Sequence, residues 1–501
     1  MRYLTLLALL TVSGKAQSPP KRTLPSTAVP ISGMSPFPEG CAGPQSGGGS
    51  VFFNSTTEPY VTADPVHPEH LVGAWQQDRW TNGGSNGVVS AVSKDHGRTW
   101  TTSSAHFSRC TGGVWERASD PWVAISPDGT AYQAALGVNG AGVLTPVLVS
   151  RSADGGFTWD EPTLLSNNPG DDKESITADP TDSHYVYVVW DNTNTNDIPI
   201  WFSRTTDGGA TWEPSRQIYN PGANSYATAS QIVVLPDGTL LDVFVLTAPN
   251  GGRSPGVWNG VLRSVDHGAT WKGPTLFATN QTVGTLDVKN KVGLRTGAGI
   301  PSVSADPVSG AVYVVWSDSR FSGGLRDGIA FSKSLDGGTT WSPVVQVNQV
   351  PQVQAFTPAV AAGADGNVAV TYFDFRQDTS DSNTLLAAYW RVVSEDGGDS
   401  WRETRVAAPF DILSAPLHAG SVPFLGDYQG IVMAGDVFLS FYTLANSGNT
   451  DNRSSLFASS AERPGDTRWT SGRIEINTQP HQFHAAPKPI PDLPLLRNQK
   501  H

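Results

Sequence analysis

One octet constrains this chain more than any other stretch: Ser334-Leu335-Asp336-Gly337-Gly338-Thr339-Thr340-Trp341. Its residues describe a tight turn with an anchor. The Asp336 carboxylate can accept backbone N–H bonds across the turn and Ser334 closes the loop with its hydroxyl. Gly338 tolerates φ > 0, and Trp341 starts the return strand with a large apolar ring. Five further copies keep Ser or Thr two before the Asp, Gly two after and Trp five after: Ser93 to Trp100, Ser152 to Trp159, Thr205 to Trp212, Ser264 to Trp271 and Ser394 to Trp401. A turn repeated in this way specifies a chain of repeated antiparallel β units.

Upstream of each turn runs an apolar strand that often closes on Asp-Pro, then a short turn, a β-rich strand, a polar loop and the strand feeding the turn, so the period is four strands. The fifth unit is typical, with Ser302 to Pro307, Val312 to Trp316 and Gly328 to Trp341. A seventh unit follows the six marked ones: Asp427 to Met433, Val437 to Tyr442 and Ser455 to Ser460, with Gly465-Asp466-Thr467-Arg468-Trp469 as a stretched turn. The expectation is an all-β ring of four-stranded antiparallel blades. Seven is the favoured number, and six with an accessory hairpin is the alternative. Val51 to Asn54 or Arg473 to Asn477 would supply the strand that completes a shared blade, and the six turn tryptophans would be largely buried between blades.

The repeated turn is the Asp-box, and here the chain resembles the sialidase-like superfamily of β-propellers. The resemblance implies a propeller whose Asp-boxes lie on the face opposite the ligand site. It does not carry over a catalytic set. Sialidases have an Arg-Ile-Pro element early in the chain, an arginine triad, and a Tyr nucleophile with a Glu and an Asp. This sequence has Gly299-Ile300-Pro301-Ser302 in the fifth unit, with no Arg before Ile300, and Glu116-Arg117-Ala118-Ser119 without Ile-Pro.

The ends and the composition bound the setting. Residues 1–16 read as a signal peptide, with an apolar run after Arg2 and small residues before a cleavage point at Ala16. Residues 17–50 read as a Pro-, Ser- and Gly-rich linker, 51–480 as the propeller and 481–501 as a Pro-rich tail. Secretion to the extracellular space follows, with Cys41 and Cys110 expected to bridge and sequons at Asn54, Asn280 and Asn452. A formal charge of -12 argues against nucleic acid as a partner. No membrane span, cofactor or metal is expected, and the protein reads as a monomer.

In such a ring the ligand site lies where the first strands converge, reached by loops between blades and by loops joining strands two and three. Those loops carry Arg79, His106, Arg109, Glu116, Arg117, Asp172, Lys173, Glu174, Arg320, Arg376, His418, Asp427 and Tyr428. A glycosidase needs a proton donor and an opposed nucleophile or base, which Glu116 or Glu174 with Asp427 or Tyr428 could supply. A uronate lyase would use Arg117 or Arg320 to neutralise a carboxylate, with His106 or Tyr132 as base. Arginines are suited to holding an acidic sugar. Repetition of the aromatic-Asp-Arg pattern, as in Trp316-Ser317-Asp318-Ser319-Arg320 and Tyr372-Phe373-Asp374-Phe375-Arg376, favours local pairing instead. The functional expectation is a glycoside hydrolase acting on an acidic or terminal sugar, with a polysaccharide lyase and a non-catalytic glycan-binding or scaffold propeller as alternatives.

Overall fold

The computed structural model describes residues 28–44, 47–140, 145–250 and 253–460. The expected signal segment, the 465–469 turn, the 473–477 strand and the C-terminal tail lie outside them. Among the described residues, strands form seven four-stranded antiparallel units and two short separate hairpins. The first unit is Val51–Ala63, Leu71–Trp80, Ser85–Ser93 and Thr101–Ser103, and the later units repeat its meander. First strands of successive units lie side by side, from 51–63 through 117–125, 171–178, 226–234, 302–305 and 355–362 to 430–434, which returns to 51–63. The protein is thus an all-β propeller with a closed ring.

Among the described residues, closure uses a strand not expected from the sequence. Val51 and Phe52 pair with Trp80 and Arg79, and so merely lengthen the first strand of the first unit. The outer strand of the seventh unit is Ala28–Pro30, paired with Ser459, Ala458 and Phe457. The stretch expected to be a linker is therefore part of the fold. Its far end is fixed by the Cys41–Cys110 disulfide, with Cα atoms 4.9 Å apart.

The hydrophobic core is a ring of clusters between units rather than one centre. Val188 and Trp190 of the third unit pack with Tyr132 and Val149 of the second, and Phe441 of the seventh with Trp75 of the first. Second strands such as Val186–Asn192 and Val312–Asp318 are buried along their whole length. They are covered by neighbouring units on both faces, which explains why they read as continuous apolar runs rather than alternating ones.

The Asp-box turns have one geometry. In the copy at 334–341, Ser334 Oγ donates to Asp336 Oδ1 at 2.9 Å and accepts from Gly338 N at 2.9 Å. Thr340 gives Asp336 both its N–H, at 2.8 Å, and its hydroxyl, at 2.6 Å. These donors hold the Asp-box carboxylates below the usual range, Asp207 and Asp266 to about 2. The box tryptophans are half-buried rather than enclosed. Each of four meets an aromatic ring of the preceding unit: Trp341 stacks on Phe277 at 4.0 Å, Trp401 and Trp271 meet Phe331 and Phe202 edge-on at 5.2 and 5.6 Å, and Trp100 tilts onto Phe441 at 5.4 Å. The last of these spans the join between the first and seventh units.

Trp100→Ala should therefore weaken the closure itself. Because the ring is only half-buried, the expected loss is about 2 to 3 kcal/mol, below the full-burial range, read as a lowered denaturant midpoint. Replacing Cys41 and Cys110 together by Ala should lower stability by about 4 kcal/mol through the entropy of the 69-residue loop they close.

Candidate functional site

The site arises from a recurring irregularity in the inner strands. The register of the first strand slips between Thr57 and Tyr60, Ser119 and Trp122, Asp172 and Ser175, Thr228 and Gln231, and Phe356 and Ala359. Within each slip one residue other than glycine is left-handed: Glu58 (φ 52°), Asp120 (φ 50°), Lys173 (φ 52°), Ala229 (φ 59°) and Thr357 (φ 48°). Such backbone costs about 1 to 3 kcal/mol per residue, and a bulge of this kind re-aims its side chain. The outcome is three ionisable groups from three consecutive units, meeting at the strand ends on the face opposite the Asp-boxes.

Asp427, just ahead of the first strand of the seventh unit, joins them. Lys173 Nζ lies 3.1 Å from both Asp120 Oδ2 and Asp427 Oδ2, so these carboxylate oxygens stand within twice that distance of each other. Arg295 grips Asp427 with two nitrogens, Nε donating to Oδ1 at 3.0 Å and Nη2 to Oδ2. Glu58 Oε1 accepts the Asp427 backbone N–H at 3.2 Å, and Gln76 Nε2 donates to Glu58 Oε2. Gln76 accepts in turn from Arg79 Nη1 at 2.6 Å. Arg79 and Arg295 flank the Phe424 ring at 4.8 and 4.7 Å. His418 faces both guanidinium groups, 3.0 Å from Arg295 Nη1 and 3.5 Å from Arg79 Nη2.

Environment separates the carboxyl groups. Burial, followed by the nearby Asp120 and Asp427 charges, pushes Glu58 up to about 8, so it holds its proton at neutral pH. Burial also opposes ionisation of Asp120 and Asp427, yet Lys173, with Ser119 for one and Arg295 for the other, holds both below the usual carboxylate range. Burial, then Arg295 and Arg79, lowers His418 to about 4, leaving it neutral. Glu174 is fully buried, neither of its carboxyl oxygens has a hydrogen-bond partner, and its pKa is raised well above normal by burial. Tyr428 packs on Trp122 at 5.5 Å with its hydroxyl directed at Pro121 O, 3.4 Å away. Asp172 lies 3.8 Å from Lys173 at the rim. Among the described residues, no group of three His, Cys, Asp or Glu side chains could hold a metal ion.

Of the residues proposed from sequence, the fold brings Arg79, Asp172, Glu174, Asp427 and Tyr428 to this cluster. The others sit elsewhere, for definite reasons. Arg320 pairs with its own Asp318 at 2.8 Å, and Arg376 with Asp374 at 2.6 Å and with Glu403. His106 lies on the surface against Glu161 at 3.0 Å. The Tyr132 hydroxyl donates to Gly208 O at 2.9 Å, in the Asp-box of the third unit, and so lies on the opposite face. Glu116 accepts from Gly140 N at 3.1 Å. Arg117 donates to Asn82 Oδ1 at 2.7 Å and to the carbonyls of Gly83 and Gly140, tying together two loops of the site face. It is a loop clamp, with its Nη groups turned to protein oxygens rather than to a pocket. The sequon residue Asn280 is also withdrawn from modification: it is buried, and its Nδ2 donates to Asn259 Oδ1 and Gly299 O at 3.0 and 2.7 Å. Asn54 and Asn452 are half-buried.

Sequence reasoning placed Lys173 and His418 on candidate loops without giving them a role, and it missed Glu58, Asp120 and Arg295. A signal for two of them was present. Glu58-Pro59-Tyr60 and Asp120-Pro121-Trp122 place an acid, a proline and an aromatic residue at the same point of two successive units. Arg295 and His418 come from connections between units and share no repeat position.

Residues 186–408 match the BNR repeat-like domain family. The four-stranded units run beyond both ends of that match. A xyloglucanase of Paenibacillus sp is 28% identical over 209 residues, covering 40% of this chain and 18% of that protein. The chain thus aligns with less than a fifth of that relative's length. Among solved structures, an α-L-arabinanase of Penicillium chrysogenum complexed with arabinobiose has a TM-score of 0.46 at 14% identity, covering 86% of this chain and 98% of the other. The polysaccharide lyase Uly1 has a TM-score of 0.49 at 10% identity, covering 87% and 99%. The NanB sialidase of Streptococcus pneumoniae has a TM-score of 0.40 at 14% identity, covering 85% and 71%. Among the described residues no helix is long and apolar enough to cross a membrane.

Two outcomes test the electrostatics. A carboxyl raised from 4.5 to about 8 stabilises the fold fully below pH 4.5 and loses that contribution as the pH rises through 8. The wild type should therefore lose roughly 5 kcal/mol relative to Glu58→Gln across that window, measured by denaturant unfolding at each pH. Lys173→Met leaves Asp120 buried without its cation and Asp427 with Arg295 alone. It should lower stability by about 3 to 5 kcal/mol at pH 7, and by less in acid, where Asp120 and Asp427 can take up protons.

Proposed function

We propose that this propeller is a secreted glycoside hydrolase that acts on an acidic or terminal sugar of extracellular glycans. Hydrolysis of a glycosidic bond needs one carboxyl that is protonated and one that is ionised at the same pH. One observation carries the reading: Glu58 is held protonated beside Asp120 and Asp427, which are held ionised, in one buried cluster. Environments that push neighbouring carboxyls apart in this way assign an acid and a base. Glu58 is the proton donor to the leaving oxygen, and Asp120 is the nucleophile or base. Asp427 is fixed between Arg295 and Lys173 and shapes the field between them.

Arg79 and Arg295 favour an acidic sugar. Their guanidinium groups converge on neutral His418 around Phe424, where a carboxylate or a ring hydroxyl would find donors. The same three residues support a second reading, a uronate-directed lyase. There Arg295 neutralises the carboxylate and His418, uncharged at neutral pH, takes the proton.

The two readings part on the product. A panel of neutral and uronate-containing oligosaccharides should show new reducing ends without ultraviolet absorbance for a hydrolase, and unsaturated uronate absorbing in the ultraviolet for a lyase. Glu58→Gln should lower kcat roughly 10²- to 10⁴-fold, and wild-type activity should decline as the pH rises through about 8. His418→Ala should leave hydrolysis largely intact but abolish a lyase. Binding of glycans with no turnover by either assay would refute both catalytic readings in favour of a lectin-like propeller.

A further inference from the structure

Between the fourth and fifth units the chain makes a hairpin, Thr285–Asp287 paired with Val292–Leu294, before it reaches Arg295. Of the arm's large apolar side chains Leu294 is buried in the core, while Leu286, Val288 and Val292 are 41, 71 and 47% exposed, so little apolar burial holds the arm beyond its last residue. Its tip is instead seated in the 376–385 loop of the sixth unit. Lys289 Nζ donates to Asp378 Oδ1 at 2.8 Å and lies 3.0, 2.9 and 2.6 Å from the carbonyl oxygens of Thr379, Asp381 and Thr384. The neighbouring Asn290 Nδ2 donates to Ser382 O at 2.9 Å. Four oxygens around one largely buried ammonium form a cation cage, unlike the exposed lysine pairs that contribute little. At the base of the arm Thr285 and Thr296 share a hydrogen bond of 2.7 Å, and Thr357 Oγ1 donates to Thr296 O at 2.8 Å. Tip and base are both held by polar contacts, and the residue between base and hairpin is Arg295.

We infer that Lys289 is a positioning residue: by seating the arm in the sixth unit it fixes Arg295 on Asp427. Lys289 itself does not touch the cluster. Arg295 and Lys173 bond Asp427, and Glu58, Asp120, Asp172, Arg79, His418 and Tyr428 surround it, so release of Arg295 removes one of the two cations bonded to Asp427 and makes it easier to protonate. The inference rests on the catalytic reading only for its activity readout.

The test uses the full chain with Lys289→Met, Arg295→Met and the double variant. Lys289→Met should lower kcat/KM roughly 10- to 100-fold, as small displacements of positioned groups do. The acidic limb of the pH profile should move to higher pH, as in Arg295→Met, and the double variant should be no worse than Arg295→Met alone. Lys289→Ala should regain activity with added methylammonium, which fits the emptied cage, and not with tetramethylammonium. A lowered melting temperature with kcat/KM and acidic limb unchanged, or losses that multiply in the double variant, would overturn the inference. If the wild type turns over no glycan, the catalytic reading fails by itself. The same three variants then decide the inference by acid unfolding: non-additive shifts of the unfolding pH uphold it and additive shifts defeat it.

Discussion

The charged cluster depends on a backbone constraint before it depends on any charge. A regular inner strand alternates its side chains between the two neighbouring units, and in a ring built that way few polar groups would reach the axis. The extra residue in five of the first strands breaks the alternation, and a left-handed φ at Glu58, Asp120 and Lys173 turns each to the shared centre. None of the three is glycine, so the strain is retained rather than relieved. It persists because the flanking strand pairs and the inter-unit clusters over-determine the path of the chain.

Once gathered, these groups cannot keep their ordinary ionisation. Two carboxylates on one ammonium and one guanidinium form a nearly neutral set, and a third carboxyl within reach of the same field takes a proton instead of a charge. Glu58 is that third group. Its proton is therefore a product of Asp120 and Asp427 as much as of its own burial. Substitutions at Lys173 or Arg295 should be felt at Glu58 without any contact between them.

The fold was legible because its signal is local. An Asp-box holds its hydroxyl, carboxylate, glycine and tryptophan within eight residues, and the turn bonds seen at Asp336 involve only residues of that octet. The site was legible only in part because its contacts are distant in sequence. Lys173 meets Asp427 across 254 residues and Arg295 meets it across 132. Arg320 and Arg376 misled for the converse reason: an Asp and an Arg two residues apart in a loop satisfy each other, and repetition marked that local pairing. Arg117 drew attention as an early-strand arginine, yet what it meets is the Asn82 side chain and two loop carbonyls. The strand that closes the ring was hidden because Ala28–Pro30 is three residues in a proline-rich stretch with no alternation to read.

That closing strand ties the fate of the ring to the direction of synthesis. Ala28 is among the first described residues to leave the ribosome, and its partner Ser459 is among the last. Until the seventh unit exists, the earliest strand has no ladder to join, and the first and last units both present open edges. Contacts so far apart in sequence form slowly. The disulfide at Cys41 shortens that wait in space, since it anchors the early segment to the second unit's entry while the remaining five units are still being made. A nascent chain arrested before residue 454 should therefore be a ring with a gap, its first strand tethered beside the place it will fill.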